Sequence, residues 1–140
     1  MPNRVLVLDA NILVRAVLGE RVRAVIGAYA EAVSFFVPEA AYAEAEEHLP
    51  TLVVKRGGDP EKAFALLRSL RPLVVLIGRE VYGELEADAR ERLATRDPED
   101  WTILASALAL GCPIWTEDTD FFGCGVATWT SDRVLMFLRE

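Results

Sequence analysis

Short apolar runs that alternate with segments of helical periodicity constrain the fold of this chain more than any other feature of its sequence. The runs are RVLVL (4–8), VSFFV (33–37), PLVVLIG (72–78), PIWT (113–116) and VATWT (126–130). Runs this short and this apolar are typical of strands that are buried on both faces of a parallel sheet. The alternation therefore predicts an α/β fold, a three-layer α/β/α sandwich around a mostly parallel central sheet.

The segments between these runs have the spacing and the end residues of helices. Helices are predicted over 10–18, 20–32, 38–49, 61–70, 79–94, 97–111 and 132–138. Pro38 suits the first turn of the third helix, and Pro50 is expected to kink or end it. The helix over 97–111 has the best-defined ends, because Asp97 is a natural N-cap, Pro98 suits the first helical position and Gly111 suits the end.

The bulk composition is that of one folded domain. A chain of 140 residues, of which 52% are hydrophobic and 26% charged, can bury a core by itself, so residues 1–140 are predicted to form a single domain. No stretch reaches the roughly 18 consecutive apolar residues of a membrane span. The apolar run before Asp9 is too short for a secretory signal, and a cytoplasmic (cytosolic) protein is expected.

The charge and the rare residues exclude several function classes. The formal net charge is −7, whereas proteins that only grip nucleic acid by its phosphates are normally basic. Cys112 and Cys124 lack the paired spacing of a zinc site. His48 is the single histidine, and it stands in an ordinary helical context, which disfavours Ser-His-Asp and Cys-His catalysis.

Acidic residues follow two of the predicted strands directly. Asp9 ends the first strand, and Asp118 and Asp120 come just after PIWT. In parallel α/β sheets, ligands bind outside the carboxyl ends of the strands. If these two strands are neighbours, the sheet brings acids that are over a hundred positions apart to one edge.

Two helices can add acids to the same edge. Asp100 shares a helical stripe with Ile103, Leu104 and Ala107, which should face the sheet. Glu44 lies beside Ala45 on the apolar stripe of its own helix. Both carboxylates are therefore predicted to approach the strand ends.

Several carboxylates in one pocket repel each other, and hard divalent cations relieve this repulsion. A metal held in this way can lower the pKa of a water, orient it for in-line attack on phosphorus and stabilise the leaving oxygen. Each acid also has an ordinary structural alternative. The alternatives are helix capping for Asp9, Asp97 and Asp100, a turn for Asp118 and Asp120, and a solvated helix face for Glu44.

Four stretches of the sequence carry the acids described above. They are VLDANIL near the start, PEAAYAEAEEHL in the middle, DPEDWTILASALALG later and WTEDTDF near the end. In their order and approximate distances they resemble the PIN-domain family of compact nucleases, which includes the VapC-type toxins of toxin–antitoxin pairs. The resemblance covers nearly the whole chain.

The resemblance implies a role for each of the acids. The implied catalytic and metal-binding acids are Asp9, Glu44, Asp100 and Asp118, the further metal-site acids are Asp97 and Asp120, and the supporting polar residues are Asn11 and Thr116. It also implies a Mg²⁺- or Mn²⁺-dependent ribonuclease, a hydrolase that acts on RNA. Our mechanistic hypothesis is in-line attack of a metal-activated water on phosphorus, which would leave a 5′-phosphate. A homodimer and a cognate antitoxin partner are implied as well, and the segment 52–94 carries no motif with an assignable role.

Two other functions remain as rivals. A phosphatase of the haloacid dehalogenase type would need a second acid at position 11, where the chain has Asn11, and a suitably placed lysine, of which there is none after Lys62. A catalytically silent protein could use the acidic pocket to dock the arginine of a protein partner.

For the nuclease, a local basic patch would have to hold RNA. The candidates for it are Arg15, Arg21, Arg23, Lys55 and Arg56.

Overall fold

A computed structural model describes residues 4–140, and a five-stranded sheet forms its centre. The strands are β1 (Arg4–Leu8), β2 (Val33–Pro38), β3 (Val74–Ile77), β4 (Ile114–Trp115) and β5 (Thr128–Trp129). They lie in the order β3-β2-β1-β4-β5, and every pairing is parallel. The predicted α/β fold is confirmed, and residues 1–3 of the predicted domain lie outside the described residues.

The strand β1 is the middle of the sheet, and its second half is fully buried. Leu6, Val7 and Leu8 have no exposed surface, as expected for a strand that is covered on both faces. Its neighbours are β2 on one side and β4 on the other, with Leu8 paired to Trp115. The carboxyl ends of β1 and β4 are therefore adjacent, which is the condition that the acidic site requires.

Helices cover the sheet in two groups. The first group is α1 (Ala10–Leu18), α2 (Glu20–Tyr29), α3 (Glu39–Lys55) and α4 (Pro60–Ser69), and the second is α5 (Arg79–Tyr82), α6 (Glu86–Arg92) and α7 (Trp101–Leu110). A short α8 (Val134–Leu138) follows β5. Within residues 4–140, no helix has both the length and the apolarity needed to cross a membrane.

The helix that was predicted to kink or end at Pro50 does not end there. Pro38 is the last residue of β2 and not part of the helix, whereas α3 continues through Pro50 to Lys55. Proline removes one helical hydrogen bond. Leu49 and Val53 on either side of it are both buried, and the burial of this apolar stripe outweighs the lost bond.

Other boundaries were also wrong by a few residues. The predicted helix over 79–94 is interrupted by a 3₁₀ turn, Gly83–Leu85, at a glycine, which is a weak helix former. The predicted helix over 97–111 begins with another 3₁₀ turn, Pro98–Asp100. Gly111 ends it in the left-handed conformation, with φ of 64°, as predicted.

The remaining differences are shorter elements. The predicted helices over 20–32 and 132–138 shrink to α2 and α8, and the predicted strands over 72–78, 113–116 and 126–130 shrink to β3, β4 and β5. A 3₁₀ turn, Arg71–Leu73, takes the first part of the third run. Of the shortened strands, β3 and β5 are the edge strands of the sheet, where fewer neighbours hold the backbone in a regular conformation.

Candidate metal centre

Asp9 and Thr116 lie side by side at the carboxyl edge of the sheet. Asp9 follows β1 directly, and its N–H donates to the carbonyl of Trp115 at the end of β4, at 3.1 Å. Thr116 follows Trp115 in the sequence, and its N–H donates to the carbonyl of Trp129 in β5, at 3.0 Å. Parallel pairing of β1 with β4 thus joins two parts of the sequence that are far apart.

The Asp9 carboxylate is buried and bonded at both oxygens. Its Oδ1 accepts from the N–H of Ala10 at 2.7 Å, so Asp9 caps α1. Its Oδ2 accepts from the Thr116 hydroxyl at 2.7 Å and from the Asn11 amide at 3.1 Å. Asp9 therefore both caps α1 and belongs to a polar cluster. The sequence alone could not decide between these two roles.

Thr116 connects the first aspartate to the acidic loop. Its hydroxyl donates to Asp9 and accepts from the backbone N–H of Asp118, at 2.9 Å, and it has 1% of its surface exposed. The Asn11 amide also lies 3.3 Å from this hydroxyl. One buried hydroxyl thus sets the position of two acidic residues.

Replacing Thr116 by valine should weaken divalent-metal binding about 10- to 100-fold, because groups that orient metal ligands typically contribute that much. Valine keeps the shape but neither donates to Asp9 nor accepts from Asp118. Mn²⁺ affinity, measured by calorimetry, checks this. Thr116→Ser should retain most of the affinity, and Thr128→Val in β5 is the matched control. Wild-type affinity in Thr116→Val would contradict the prediction.

Three half-buried aspartates form the tightest acidic cluster in residues 4–140. Asp100, Asp118 and Asp120 each have a carboxylate oxygen within 4.8 Å of the others. The Asp118 Oδ1 also accepts from the N–H of Asp120 at 2.9 Å, which closes a short 3₁₀ turn, Thr119–Phe121. The turn predicted as an alternative for these residues is therefore present, and it holds their carboxylates near that of Asp100.

Asp100 is positioned by the helix that follows it. It precedes α7, and its side chain makes no capping hydrogen bond. Ile103, Leu104 and Ala107 are buried as predicted, and they anchor this helix in the core. The capping-box alternative for Asp100 is therefore absent, and its carboxylate is left beside those of Asp118 and Asp120.

A cavity of about 220 Å³ extends the site away from this triad. Its acidic lining residues are Asp9, Glu44, Glu99 and Asp100. Glu44 is an exposed residue of α3. Asp100 belongs to both the cavity and the triad, so the structure brings Asp9, Glu44, Asp100, Asp118 and Asp120 into one region.

Asp97 has a different place from the other predicted site acids. It is exposed, and its Oδ1 accepts from the N–H of Glu99 at 3.1 Å, so it caps the turn before α7. It does not belong to the triad or line the cavity. Its charge nevertheless contributes to raising the pKa of Asp100.

Burial and crowding make two of these carboxylates hard to ionise. Burial is the main cause that raises the pKa of Asp9 from 3.8 to about 6, and the charges of Glu44 and Asp118 add to the rise. Hydrogen bonds from Thr116 and Ala10 act in the opposite direction and lower this pKa. Burial, followed by the charges of the surrounding acids, raises the pKa of Asp100 from 3.8 to about 7. A bound cation would favour the ionised carboxylates and would therefore lower these pKa values.

The metal-free protein should therefore be less stable at pH 8 than at pH 5. The folded state holds the protons of Asp9 and Asp100 more tightly than the unfolded chain does, so the free energy of unfolding falls as pH rises from about 4 to 7. Asp9 accounts for at most roughly 3 kcal/mol. Urea midpoints at the two pH values measure the difference. Mn²⁺ at pH 8 should raise the midpoint, and Asp100→Asn should flatten the metal-free profile. A metal-free midpoint that rises with pH would contradict this assignment.

Sequence reasoning did not identify Glu117 as part of this region. Its N–H donates to the Asn11 side-chain oxygen at 3.3 Å, and its Oε2 accepts from the N–H of Ser131 at 2.7 Å. It thus ties the acidic loop to α1 and to the segment after β5. Its position beside Asp118 was the only sequence feature that could have indicated this role.

Two arginines that sequence reasoning also missed hold the acidic loop from outside. Arg96 donates to the carbonyls of Asp120, at 2.9 Å, and Phe122. Arg92 donates to the carbonyl of Cys124 at 2.9 Å. These bonds tie the loop that carries Asp120 to the segment that leads into Asp100.

Two glycines of that loop allow the side chains of Arg92 and Arg96 to lie close to its backbone. Gly123 and Gly125 have φ of 80° and 93°, a conformation that favours glycine. A Cβ at Gly125 would lie 2.6 Å from Nη1 of Arg92. The sequence FFGCG after the acids was the available indication of such a loop.

The comparisons with known proteins agree with this architecture. The sequence model of one protein family, described as PIN domain, matches residues 7–139. No sequence among the curated proteins matches the chain.

Three solved structures share the fold. The crystal structure of VapBC2 from Rickettsia felis bound to a DNA fragment from their promoter has 16% identity and a TM-score of 0.65, over 90% of this chain and 98% of that one. A toxin–antitoxin complex from Klebsiella pneumoniae has 18% identity and a TM-score of 0.61, over 90% and 97%. FitAcB from Neisseria gonorrhoeae has 23% identity and a TM-score of 0.63, over 90% and 97%.

Proposed function

Because the chain belongs to the PIN-domain family, we propose that it is a metal-dependent ribonuclease that hydrolyses RNA phosphodiester bonds, and the toxin of a toxin–antitoxin pair. The observation that carries the proposal is the convergence of Asp100, Asp118 and Asp120, whose carboxylate oxygens lie within 4.8 Å of one another. These acids come from two segments that the fold brings together at the carboxyl edge of the sheet.

The donor set fits a hard divalent cation. Every candidate ligand is a carboxylate, and oxygen ligands are those that Mg²⁺ and Mn²⁺ prefer. Asp100, Asp118 and Asp120 would hold the ion, with Asp9 and Glu44 beside them and Asp97 acting through its charge. When bound, such an ion supplies Lewis acidity and a water of lowered pKa.

The chain's own residues would orient the reacting groups and accept a proton. Thr116 and Asn11 fix the Asp9 carboxylate through hydrogen bonds, which leaves little rearrangement for the reaction itself. Glu44 is exposed and lines the same cavity as Asp9 and Asp100, so it can accept a proton from a water that enters there. Asp118 keeps one carboxylate oxygen that the turn to Asp120 does not use.

The toxin part of the proposal is supported by the structural neighbours. One of them is described as a toxin–antitoxin complex, and another is a VapBC2 complex. A cognate antitoxin is the partner that this implies, and a basic side chain from it would match the acidic cavity. The resemblance also implies a homodimer, which size-exclusion chromatography with light scattering tests.

The decisive experiment is a titration of Mn²⁺ and Mg²⁺ into the purified protein with a mixed tRNA pool as substrate. The proposal expects cuts that depend on the metal, that disappear with a chelator and that are lost in Asp9→Asn. A folded, antitoxin-free protein that makes no cuts across the titration would overturn it. That result would favour the silent alternative, a protein whose acidic cavity docks an arginine of a partner.

A further inference from the structure

The loop that follows Asp118 satisfies its backbone carbonyls in an alternating pattern. The carbonyl of Thr119 accepts from the N–H of Phe122 at 3.0 Å, and that of Phe121 accepts from the N–H of Cys124 at 3.3 Å. The carbonyls that alternate with these accept from arginine side chains instead, and they are those of Asp120, Phe122 and Cys124. Every second carbonyl of the loop therefore depends on a donor that lies outside it.

The two arginines that supply these donors have a matching spacing. Arg92 is the last residue of α6, and Arg96 follows four residues later. Nη1 of Arg92 donates to the carbonyl of Cys124 at 2.9 Å, and Nη1 of Arg96 donates to the carbonyls of Asp120, at 2.9 Å, and Phe122. The loop lies between β4 and β5 and belongs to neither strand, so the two side chains take the place of a neighbouring strand.

Both guanidinium groups are committed to contacts within the protein. Arg92 also donates to the carboxylate of Asp88, from Nε at 2.9 Å and from Nη2 at 3.5 Å, which orients its side chain. Arg96 makes no salt bridge within residues 4–140, although it lies beside an acidic cluster. Its recorded side-chain bonds go to the loop backbone, and this choice of partner indicates a role in holding the loop.

This contact spans the gap between the two segments that form the acidic triad. Arg96 stands four residues before Asp100, and one of its bonds ends on the carbonyl of Asp120 itself. The carboxylate oxygens of Asp100, Asp118 and Asp120 lie within 4.8 Å of one another, and like charges this close repel each other when no cation is bound. Hydrogen bonds from a charged donor are stronger than neutral ones, so they can oppose this repulsion.

We propose that Arg96, with Arg92 in support, is a positioning residue of the metal centre, which holds the loop so that Asp118 and Asp120 face Asp100 before the ion binds. This inference rests on the metal centre of the proposed function. Ligands that are held in place beforehand do not have to be gathered when the ion binds, and this increases affinity. The two arginines act through the loop backbone and not as ligands.

The test is the direction in which Mn²⁺ affinity changes when Arg96 is replaced. Arg96→Met removes the donors and also one positive charge beside the acids. By Coulomb's law alone, the loss of a nearby positive charge would raise the affinity for a cation. The proposal expects the opposite, a loss of about 10-fold, because groups that orient metal ligands contribute that much or more. Calorimetry on the metal-free protein measures the affinity, and circular dichroism confirms the fold.

Three further variants sharpen the comparison. Arg92→Met should lose less affinity, because the carbonyl of Cys124 lies farther along the chain from the acids. Arg96→Lys should also lose less than Arg96→Met, since a single nitrogen makes both Arg96 bonds and an ammonium group has three donors. Arg68→Met is the control, because Arg68 is exposed on α4, outside the triad and the acidic cavity. An affinity in Arg96→Met that equals or exceeds that of Arg68→Met would overturn the inference.

Cleavage of RNA at different Mn²⁺ concentrations provides the second readout. Arg96→Met should cleave poorly at low Mn²⁺ and recover at saturating Mn²⁺, because the carboxylates gather around a bound ion. A loss that persists at saturation, with unchanged affinity, would contradict a positioning role. Failure of the proposed function looks different, because the wild type would then bind Mn²⁺ and cut no RNA, and the affinities would still decide the role of Arg96. A wild type that binds no Mn²⁺ would overturn both.

Discussion

An Asp118→Asn variant should lose metal-dependent RNA cleavage by about a thousandfold while keeping its fold. A bound metal ion can contribute several kcal/mol of charge stabilisation in the transition state, and Asp118 would help to hold that ion. Each 1.36 kcal/mol is tenfold in rate. Asparagine retains a side-chain oxygen that can accept from the N–H of Asp120, so the turn should survive. Rates measured at saturating Mn²⁺, with circular dichroism for the fold, check both parts.

The chain supplies a matched control for this change. Asp59 caps α4 by the same kind of contact, since its Oδ1 accepts from the N–H of Glu61 at 3.0 Å. Asp59→Asn should therefore keep wild-type cleavage. If Asp118→Asn cleaves RNA as fast as Asp59→Asn does, Asp118 is only a turn residue and the metal centre must be assigned elsewhere.

The second large effect is expected at Phe121, which closes the acidic turn. Its side chain is fully buried, although it lies one residue after Asp120. Phe121→Ala should lower the free energy of unfolding by about 3–5 kcal/mol, through lost burial and the cavity that is left. The turn that places Asp118 and Asp120 should loosen with it, so Mn²⁺ affinity should fall as well. Urea unfolding and calorimetry measure the two effects.

The neighbouring phenylalanine is the control. Phe122 has 52% of its surface exposed, and Phe122→Ala should change stability by no more than about 0.5 kcal/mol. An adjacent residue of the same type thus tests whether burial, and not ring chemistry, is responsible. Equal destabilisation by the two substitutions would contradict the predicted role of Phe121 as the anchor of the turn.

The elements that the sequence predicted best are those whose local and tertiary preferences agree. RVLVL (4–8) is continuously apolar, and β1 occupies those residues at the centre of the sheet. Gly111 ends α7 as predicted, because the left-handed conformation favours glycine wherever the helix lies. At Pro50 the two preferences disagree, and the burial of Leu49 and Val53 outweighs the local one.

For the acidic residues, too, some features are visible in the sequence and others are decided by the fold. That Asp9 and Asp118 follow strands is visible in the sequence, and parallel strands share a carboxyl edge. That the two strands are neighbours depends on strand order, which no local pattern contains. Asp97 and Asp100 look alike in the sequence, yet one is an exposed cap and the other a half-buried member of the triad.

The sequence by itself therefore determined the fold class, the parallel sheet and the set of acids at its carboxyl edge, because hydrophobic periodicity and helix-end chemistry are local properties. The tertiary structure alone decided which acids meet, and that Thr116 joins Asp9 to Asp118. It also decided that Arg15, Arg21 and Arg56 line one surface depression together with acidic residues. Those relations join residues up to 107 positions apart. They arise from strand order and helix packing, which only the folded chain as a whole specifies.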